Sequence, residues 1–219
     1  MKVLELFSGT GSFHKEAKKL GYETFTIDND KQFNPDLCID IMQLEAKDIL
    51  EKFGQPDIIW ASPPCTNFSV ASIYRHWKDG YPKDYQTFIS LALVQKTIEL
   101  INELKPKYYF IENPRGMLRK QKVMNQIEIR NTVTYCQYGF DIQKTTDIWT
   151  NCKEWTPKPM CSPRSPCHIR SPRGSKFGVQ GIKARKGFHS DSRYTQSRSP
   201  IKRAIIPPEL CKEILESCK

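Results

Sequence analysis

A cysteine that follows two prolines is the residue in this chain best suited to covalent chemistry. Cys65 comes directly after Pro63 and Pro64, which follow the apolar run Ile58–Trp60. Prolines restrict the backbone and remove amide donors, so they present the next side chain on a stiff loop. A thiol is intrinsically nucleophilic, and a nearby base activates it further. We interpret Cys65 as a candidate nucleophile; the alternative is a buried structural cysteine, the more usual role of this residue.

A carboxylate and a glycine-rich turn occupy comparable positions after two other apolar runs. Glu112 ends the run Tyr108–Ile111, and a partly desolvated carboxyl can donate a proton or hydrogen bond near neutral pH. Its alternative role is a salt-bridged or helix-capping carboxylate. Gly9 and Gly11 follow the first apolar run, and glycines let a backbone approach a ligand without Cβ clashes. Together these strand ends predict one catalytic crevice in an open α/β sheet.

Two aspartates predict a nucleoside-bearing cofactor for this crevice. Asp28 ends the second strand-like run, where a carboxylate can accept hydrogen bonds from a ribose. Asp40 ends the third run and could reach an adenine. The turn begins like a dinucleotide fingerprint, but His14 stands where a third glycine is expected. A tight turn without any ligand is the alternative.

Residues 1–150 alternate between strand-like and helix-like patterns, which predicts an α/β fold with a doubly wound, mostly parallel sheet. The most regular helical pattern runs from Asp84 to Leu104, where one face is expected to be buried. That face comprises Phe88, Leu91, Val94, Ile98 and Ile101. Further helices are expected at 13–20, 42–53 and from Pro207 onward, and strands at 3–6, 24–27, 37–39, 58–61, 108–111, 132–136 and 147–150.

Positive charge is concentrated in the last third of the 219-residue chain, whose net charge is +10. Residues 1–150 hold 19 Lys and Arg against 19 Asp and Glu, whereas residues 151–219 hold 15 against 5. This asymmetry favours a neutral catalytic domain with a polyanion-binding appendage; a solvated basic surface without a partner is the alternative. We expect a catalytic domain at 1–150, a small irregular basic lobe at 151–203, and a C-terminal helix at 204–219 that returns to the catalytic domain.

The cysteines favour an intracellular protein with a possible metal site. The chain shows neither a signal-peptide h-region nor an apolar run of membrane-spanning length, so we expect a cytoplasmic location. Eight cysteines are then thiols or metal ligands rather than a disulfide framework. Zinc could order the proline-rich lobe; free thiols with a surface histidine are the alternative. The candidate ligands are Cys152, Cys161, Cys167 and His168.

Taken together, the motifs resemble those of the cytosine-5 DNA methyltransferase family, in the compact stand-alone form found in bacteriophages. Segments 6–13, 62–69 and 111–116 are similar to its three main motifs in order and spacing, and segment 204–215 weakly resembles the final one. The resemblance implies a class I methyltransferase fold that uses S-adenosylmethionine. It implies that Cys65 adds to C6 of a flipped cytosine, that Glu112 protonates or hydrogen-bonds N3, and that C5 takes the methyl group.

The resemblance and the charge pattern also assign binding residues. The expected cofactor contacts are Phe7, Ser8, Gly9, Gly11, Asp28, Asn29, Asp40, Ile41 and Pro63. The expected contacts to DNA phosphates are Arg115, Arg164, Arg173, Lys183, Arg185 and Lys186.

Some positions depart from the family pattern, and other functions stay open. Thr66 stands where the family has glutamine, and after Gln143 the two expected arginines are replaced by Thr145 and Asp147. The alternatives are a tRNA cytosine methyltransferase on the same scaffold, an adenine amino-methyltransferase, and a non-catalytic nucleic-acid binder. The adenine class carries an aromatic residue after Ser-Pro-Pro, where this chain has Cys65.

Overall fold

A seven-stranded sheet forms the centre of the protein, and two further strands form a separate hairpin. The structure, a computed structural model, describes residues 1–140, 143–162, 165, 167 and 200–218. The strands are β1 (Lys2–Leu6), β2 (Glu23–Asp28), β3 (Leu37–Cys38), β4 (Ile58–Ala61), β5 (Trp77–Lys78), β6 (Tyr81–Pro82), β7 (Tyr108–Pro114), β8 (Ile129–Thr134) and β9 (Thr145–Thr150).

The strand order places a crevice between β1 and β4. The sheet runs β3-β2-β1-β4-β7-β9-β8, and only the pairs of β9 with β7 and with β8 are antiparallel. Strand addition reverses direction between β1 and β4, and ligands of open α/β sheets bind beyond the carboxyl ends of strands at such a point. In register, Leu6 lies opposite Ala61, and Ala61 lies opposite Ile111. The residues that follow these three strands therefore emerge together at one edge of the sheet.

Helices cover both faces of the sheet, as the sequence predicts for a doubly wound fold. The helices are α1 (Ser12–Lys19), α2 (Ala46–Lys52), α3 (Ile73–His76), α4 (Tyr85–Leu104), α5 (Pro200–Ala204) and α6 (Pro208–Ser217). Apolar residues of α1 and α6 pack on one face, and those of α2 and α4 pack on the other. Trp60 of β4 is fully buried on the α1 face, where its ring stacks on Phe13 with centroids 4.5 Å apart.

The long helix α4 confirms most of the predicted face and corrects one residue. Asp84 caps its first turn by accepting a hydrogen bond from the Thr87 N–H at 2.9 Å. Val94 and Ile98 are buried as expected, but Phe88 is 55% exposed, so its predicted burial is wrong. A helix of 20 residues spans about 30 Å, which is longer than the strands it crosses. Its first turns therefore extend past the sheet edge.

The helix expected at 42–53 is shorter than predicted. Residues Ile41–Gln43 form a 3-10 turn instead, capped by the Asp40 carboxylate, which accepts from the Met42 N–H at 2.9 Å. Helix α2 then begins after Glu45, whose N–H donates to Asp48 Oδ2 at 2.9 Å. Local capping by acidic side chains thus divides one apolar pattern into two elements.

The C-terminal helix returns to the sheet as expected from its apolar spacing. Leu210, Ile214 and Leu215 of α6 are fully buried, and α6 packs on α1. Before this helix, the Ile206 N–H donates to Ser12 Oγ at 3.1 Å. Among the described helices, none has the length and apolar character that a membrane-crossing segment needs.

Candidate active site

The loop that carries Cys65 is fixed at the carboxyl end of β4. The Cys65 carbonyl accepts hydrogen bonds from the N–H groups of Phe68 and Ser69, both at 3.0 Å. The side-chain amide of Asn113 in β7 donates to the Pro63 carbonyl at 2.9 Å, and both residues are buried. The position of the thiol is therefore set relative to the end of β7.

A second contact between the two loops explains the glycine at position 116. The Met117 N–H donates to the Phe68 carbonyl at 2.8 Å. A Cβ on Gly116 would lie 2.1 Å from that carbonyl oxygen, far inside contact distance. Only glycine permits this approach, so the loop that carries Cys65 and the turn after β7 form one packed unit.

Opposing charges surround the thiol of Cys65, which is partly exposed. Desolvation raises the pKa of this thiol above its usual value, and the Glu112 carboxylate raises it further. Lys144 and Arg203 act in the opposite direction and lower the pKa of Cys65. The cations therefore favour the thiolate, which is the nucleophilic form. A partly exposed cysteine whose thiolate is favoured by two cations fits a nucleophile better than an inert structural cysteine.

The carboxylate of Glu112 is held on one of its oxygens by a hydrogen bond and an ion pair. Glu112 is only 5% exposed, and its Oε1 accepts a hydrogen bond from the Tyr135 hydroxyl at 2.9 Å. Lys144 Nζ lies 3.6 Å from the same oxygen. Burial, together with the Glu112 charge, raises the pKa of Tyr135 well above its usual value, so Tyr135 stays a donor. Among the described residues both contacts fall on Oε1, which leaves Oε2 for a ligand.

Lys144 is a site residue that the sequence interpretation missed. Its ammonium lies 4.8 Å from the centre of the Tyr135 ring and donates to the Arg203 carbonyl at 3.3 Å. It therefore links the Glu112 carboxylate to α5, at the end of the basic segment. Its position directly after Gln143, in the segment where the family carries arginines, was the available signal.

Asp147, in the second of the two expected arginine positions, has a structural role. It is fully buried in β9 and pairs with Arg119, whose Nε lies 2.8 Å from Asp147 Oδ2. The Thr132 hydroxyl donates to Asp147 Oδ1 at 2.8 Å. A buried charge needs such partners to offset its desolvation. Because its charge is neutralised within the sheet, Asp147 does not replace an arginine at the substrate.

The glycine-rich turn adopts left-handed backbone conformations beside Asp28. The φ angles of Phe7, Gly9 and Gly11 are 56°, 46° and 68°, and a left-handed φ is uncommon for a phenylalanine. Asp28 accepts hydrogen bonds from the N–H groups of Gly9 at 2.8 Å and Asp30 at 2.9 Å. A Cβ on Gly9 would meet nothing closer than 3.9 Å, so the surface above this glycine is open. Each Asp28 oxygen keeps a further lone pair for a ligand.

A buried carboxylate distinguishes this turn from a phosphate-binding loop. Glu5 of β1 is 2% exposed and accepts hydrogen bonds from the N–H groups of Phe13 at 3.2 Å and His14 at 2.9 Å. The His14 ring contacts the same carboxylate at 2.7 Å. The N-terminal amides of α1, which would otherwise bind a phosphate, are therefore occupied by an acid. The turn suits a cofactor without phosphate groups.

The other expected cofactor residues lie along the same edge of the sheet. Asn29 and Asp40 are exposed at the ends of β2 and β3, and Ile41 is buried behind them. Ser8 is buried, and its N–H donates to the Ile27 carbonyl at 3.1 Å. All nine expected cofactor residues therefore follow or end β1, β2, β3 or β4. Their contacts to a cofactor remain a prediction.

One of the expected DNA contacts lies in the described part of the chain. Arg115 is exposed in the turn after β7, where its N–H donates to the Thr145 carbonyl at 2.9 Å. The remaining expected contacts lie outside the described residues: Arg164, Arg173, Lys183, Arg185 and Lys186. Arg203 of α5 is exposed and close enough to affect the pKa of Cys65, so positive charge of the basic segment reaches the site.

The expected zinc ligands are brought together only in part. The Sγ atoms of Cys161 and Cys167 lie within 4.8 Å of one another and of Cys136, which was not expected. The assignment of Cys152 is wrong, because its side chain is buried beneath α6, with its Sγ 3.7 Å from Ser217 Oγ. It follows β9 directly and points into the core. His168 lies outside the described residues.

The fold and the site together define a class of enzyme. A mostly parallel sheet of this order, with a glycine-rich turn after β1 and an acid at the end of β2, is the fold of S-adenosylmethionine-dependent methyltransferases. Residues 1–146 match the family model of the C-5 cytosine-specific DNA methylases. The match covers more than half of the chain, so the chain belongs to this family.

Known proteins agree with this assignment. The chain is 29% identical to a "Probable DNA (cytosine-5)-methyltransferase" of Frog virus 3 (isolate Goorha), with all of both chains covered. It is 25% identical to the "Orphan methyltransferase M.Rho11sI" of Bacillus phage rho11s, over 56% of this chain and 24% of that protein. The chain therefore spans the whole viral relative but about a quarter of the phage relative.

A solved structure supports the fold. The "putative DNA modification methyltransferase encoded within prophage" from E. coli superposes with a TM-score of 0.54 at 19% identity. The superposition covers 74% of this chain and 52% of that one.

Proposed function

We propose that this protein transfers a methyl group from S-adenosylmethionine to C5 of cytosine in DNA. The observation that carries the proposal is the pairing of the Cys65 thiol with the Glu112 carboxylate at the ends of two adjacent parallel strands. A nucleophile and a hydrogen-bonding acid on neighbouring strands, close enough for the Glu112 charge to affect the pKa of Cys65, can act on opposite ends of one flat heterocycle. Cytosine C5 chemistry requires such a pair. Membership of the C-5 cytosine-specific DNA methylase family supports the same reaction.

The proposed reaction begins with Cys65. Its thiolate forms an S–C6 bond, and the displaced electron pair moves onto the ring, where it makes C5 nucleophilic. Oε2 of Glu112 holds a proton or hydrogen bond at N3 and so stabilises the charge that develops there. C5 would then take the methyl group and leave S-adenosylhomocysteine as the other product. Loss of the C5 proton to solvent, with cleavage of the S–C6 bond, regenerates Cys65. The target cytosine has to leave its base stack to reach a thiol in this crevice.

S-adenosylmethionine supplies an electrophilic methyl group when it is bound. The residues at its expected site fit this molecule, because the open surface above Gly9 and the Asp28 carboxylate suit a nucleoside. Glu5 occupies the helix amides that a pyrophosphate would need, and S-adenosylmethionine carries no phosphate. The transfer itself needs no metal, so zinc, the second cofactor expected from the sequence, would have a structural role.

Lys144 and Tyr135 act in this proposal as positioning residues for Glu112. Both contact Oε1, so they orient the carboxylate and hold the opposite oxygen towards the base. The family carries arginines two and four residues after the glutamine, where this chain has Thr145 and Asp147. Lys144 would supply the missing positive charge from the neighbouring position.

DNA is the proposed partner, and the basic lobe at 151–203 is its proposed recognition element. Arg115, in the turn after β7, and Arg203, in α5, are both exposed. The excess of 10 positive charges in residues 151–219 would attract a polyanion before the base is flipped. The adenine amino-methyltransferase alternative is disfavoured, because Cys65 stands where that class carries an aromatic residue.

A product analysis tests the proposal. The protein is incubated with methyl-labelled S-adenosylmethionine and duplex DNA, single-stranded DNA or transfer RNA, and each nucleic acid is digested to nucleosides. We expect labelled 5-methyldeoxycytidine from DNA. Labelled N6-methyladenine, or label in the RNA alone, would contradict the proposal.

A pair of thiol variants assigns the nucleophile in the same assay. Cys65→Ser should lower the transfer rate by about 1,000-fold or more, since the S–C6 bond cannot form, while S-adenosylmethionine still binds in calorimetry. Cys38→Ser removes an exposed thiol on the edge strand β3 and should retain the full rate. Equal rates for the two variants would remove Cys65 from the chemistry.

A further inference from the structure

Three thiols from two segments of the chain meet at the turn after β8. The Sγ atoms of Cys136, Cys161 and Cys167 all lie within 4.8 Å of one another. Cys136 belongs to the turn after β8, one residue beyond Tyr135, the hydrogen-bond partner of Glu112. The other two come from the segment that leads into the basic lobe. Three thiols that converge in this way can bind one metal ion together, which a single buried cysteine cannot.

The spacing of these sulfur atoms suits a tetrahedral metal ion. Zinc binds thiolates at about 2.3 Å, which places two ligating sulfurs roughly 3.8 Å apart. Distances of up to 4.8 Å need side-chain shifts of an ångström or less to reach this value. The Gln137 amide also donates to Cys167 Sγ at 3.5 Å, and outer donors of this kind stabilise metal-bound thiolates.

Hydrogen bonds already hold the two parts of the cluster together. The Cys161 N–H donates to the Thr134 hydroxyl at 2.9 Å, and the Lys158 N–H donates to the Tyr138 hydroxyl at 2.8 Å. Residues 134–138 are therefore the surface on which the segment 158–161 docks. The docked backbone brings the thiols into reach of one ion without a large rearrangement.

We propose that Cys136, Cys161 and Cys167 bind one structural Zn²⁺ ion through their thiolates. A water molecule completes the tetrahedral coordination as the fourth ligand. The ion cross-links the end of β8 to the start of the basic lobe, which contains little apolar material for a core of its own. It thereby sets the position of the lobe relative to Tyr135 and Glu112. The metal site does not depend on the methyl-transfer proposal.

Differential alkylation of the intact protein tests this site without any mutation. The purified, zinc-supplemented chain is treated with iodoacetamide before and after a strong chelator, and labelled cysteines are identified by mass spectrometry. We expect one zinc per chain, with Cys136, Cys161 and Cys167 labelled only after chelation. Cys38, which is exposed, should be labelled in both samples. Labelling of all three cluster thiols in the zinc-loaded protein would overturn the proposal.

Cobalt binding and matched serine variants provide a second test. Co²⁺ should give a thiolate-to-metal charge-transfer band that weakens by about a third in each of Cys136→Ser, Cys161→Ser and Cys167→Ser. Cys152→Ser, a control in the buried thiol beneath α6, should keep the whole band. Absence of the band in the wild type, or a disulfide between two cluster cysteines in the native protein, would rule the metal site out.

Discussion

Cys65 is set apart from the other thiols of the chain by its charged neighbours. Burial raises the pKa of Cys211 well above its usual value, and nearby carboxylates raise it further. Burial and Cys152 likewise raise the pKa of Cys218 to about 12. Around Cys65, by contrast, Lys144 and Arg203 oppose the effect of burial. Cys65 therefore differs from Cys211 and Cys218 in that two cations favour the charged form of its thiol.

The rate of methyl transfer should depend on the charge of Lys144. Lys144→Met removes a charged contact to Glu112, and such contacts contribute about 1.5–3 kcal/mol. We expect kcat to fall by about 10- to 100-fold, with little change in KM for S-adenosylmethionine. Lys144→Arg keeps the charge and should retain most of the rate. Steady-state kinetics of the two variants, with melting temperatures as a folding control, tests this. Equal losses in both variants would mean that Lys144 matters only for packing.

The pH dependence should report the same interaction. The pKa of Cys65 is raised in the free protein, so the thiolate fraction, and with it kcat/KM for DNA, should increase from neutral towards alkaline pH. Lys144 lowers this pKa, so Lys144→Met should move the rising limb to higher pH. A pH profile of kcat/KM measures the shift. A limb that stays in place in the variant would contradict the proposed role of Lys144.

At the scale of elements, contacts between the loop after β4 and the end of β7 hold the site. The Asn113 amide joins the end of β7 to Pro63, and Gly116 permits the contact with Phe68. The hairpin of β5 and β6 adds a third support, because the Trp77 indole N–H donates to the Asn67 carbonyl at 2.6 Å. The position of the Cys65 thiol therefore depends on backbone contacts that a single added methyl group can disturb.

Gly116→Ala should separate positioning from DNA binding. The added Cβ would lie 2.1 Å from the Phe68 carbonyl oxygen, so the two loops must move apart. We expect a loss of ~1–3 kcal/mol in unfolding free energy, with a lower melting temperature and a lower kcat. The neighbouring Arg115→Ala should leave the melting temperature unchanged and raise KM for DNA. Calorimetry and kinetics of both variants test this. An unchanged melting temperature in Gly116→Ala would refute the packing argument.

Several elements could be predicted from local patterns, and others could not. The strand ends at Asp28 and Ala61 follow from short apolar runs, and the buried positions of α6 follow from helical spacing. The end expected at Glu112 is wrong, because β7 continues to Pro114. The β5–β6 hairpin was missed, although Asp79 and Gly80, at φ 52° and 86°, form a turn sequence typical of hairpins. That signal was present in the sequence.

Contacts between distant segments were beyond the reach of sequence spacing. Tyr135 meets Glu112 across 23 positions in the chain, and Lys144 meets Arg203 across 59. Cys136 joins Cys161 and Cys167 only because the turn after β8 docks on the segment that follows β9. No periodicity encodes such pairings, since they depend on which strands become neighbours in the sheet.

At the scale of the whole molecule, charge is divided along the chain. The sheet domain is neutral, and residues 151–219 carry the whole net charge of +10. In the described part of the basic segment, the Arg203 carbonyl of α5 accepts a hydrogen bond from Lys144, and the charge of Arg203 lowers the pKa of Cys65. An electrostatic attraction of DNA would therefore be directed to the crevice between β1 and β4.

The salt dependence of DNA binding tests whether the basic lobe contacts phosphates. Each neutralised phosphate contributes about 0.9 to the slope of log K against log salt. The double substitution Arg185→Ala with Lys186→Ala should therefore reduce the slope by up to ~1.8. The control pair Lys47→Ala with Lys52→Ala removes the same charge from α2, on the face of the sheet opposite α6, and should leave it unchanged. Equal changes in both pairs would assign the effect to net charge alone.

Covalent trapping on DNA tests the central claim most directly. DNA that contains 5-fluorocytosine blocks the final loss of the proton from C5, so the bond between Cys65 and C6 should persist. With S-adenosylmethionine present, we expect a denaturant-resistant complex of protein and DNA whose peptide map places the base on Cys65. A complex linked through another residue, or methylated product without any adduct, would contradict the assignment of Cys65 as the nucleophile.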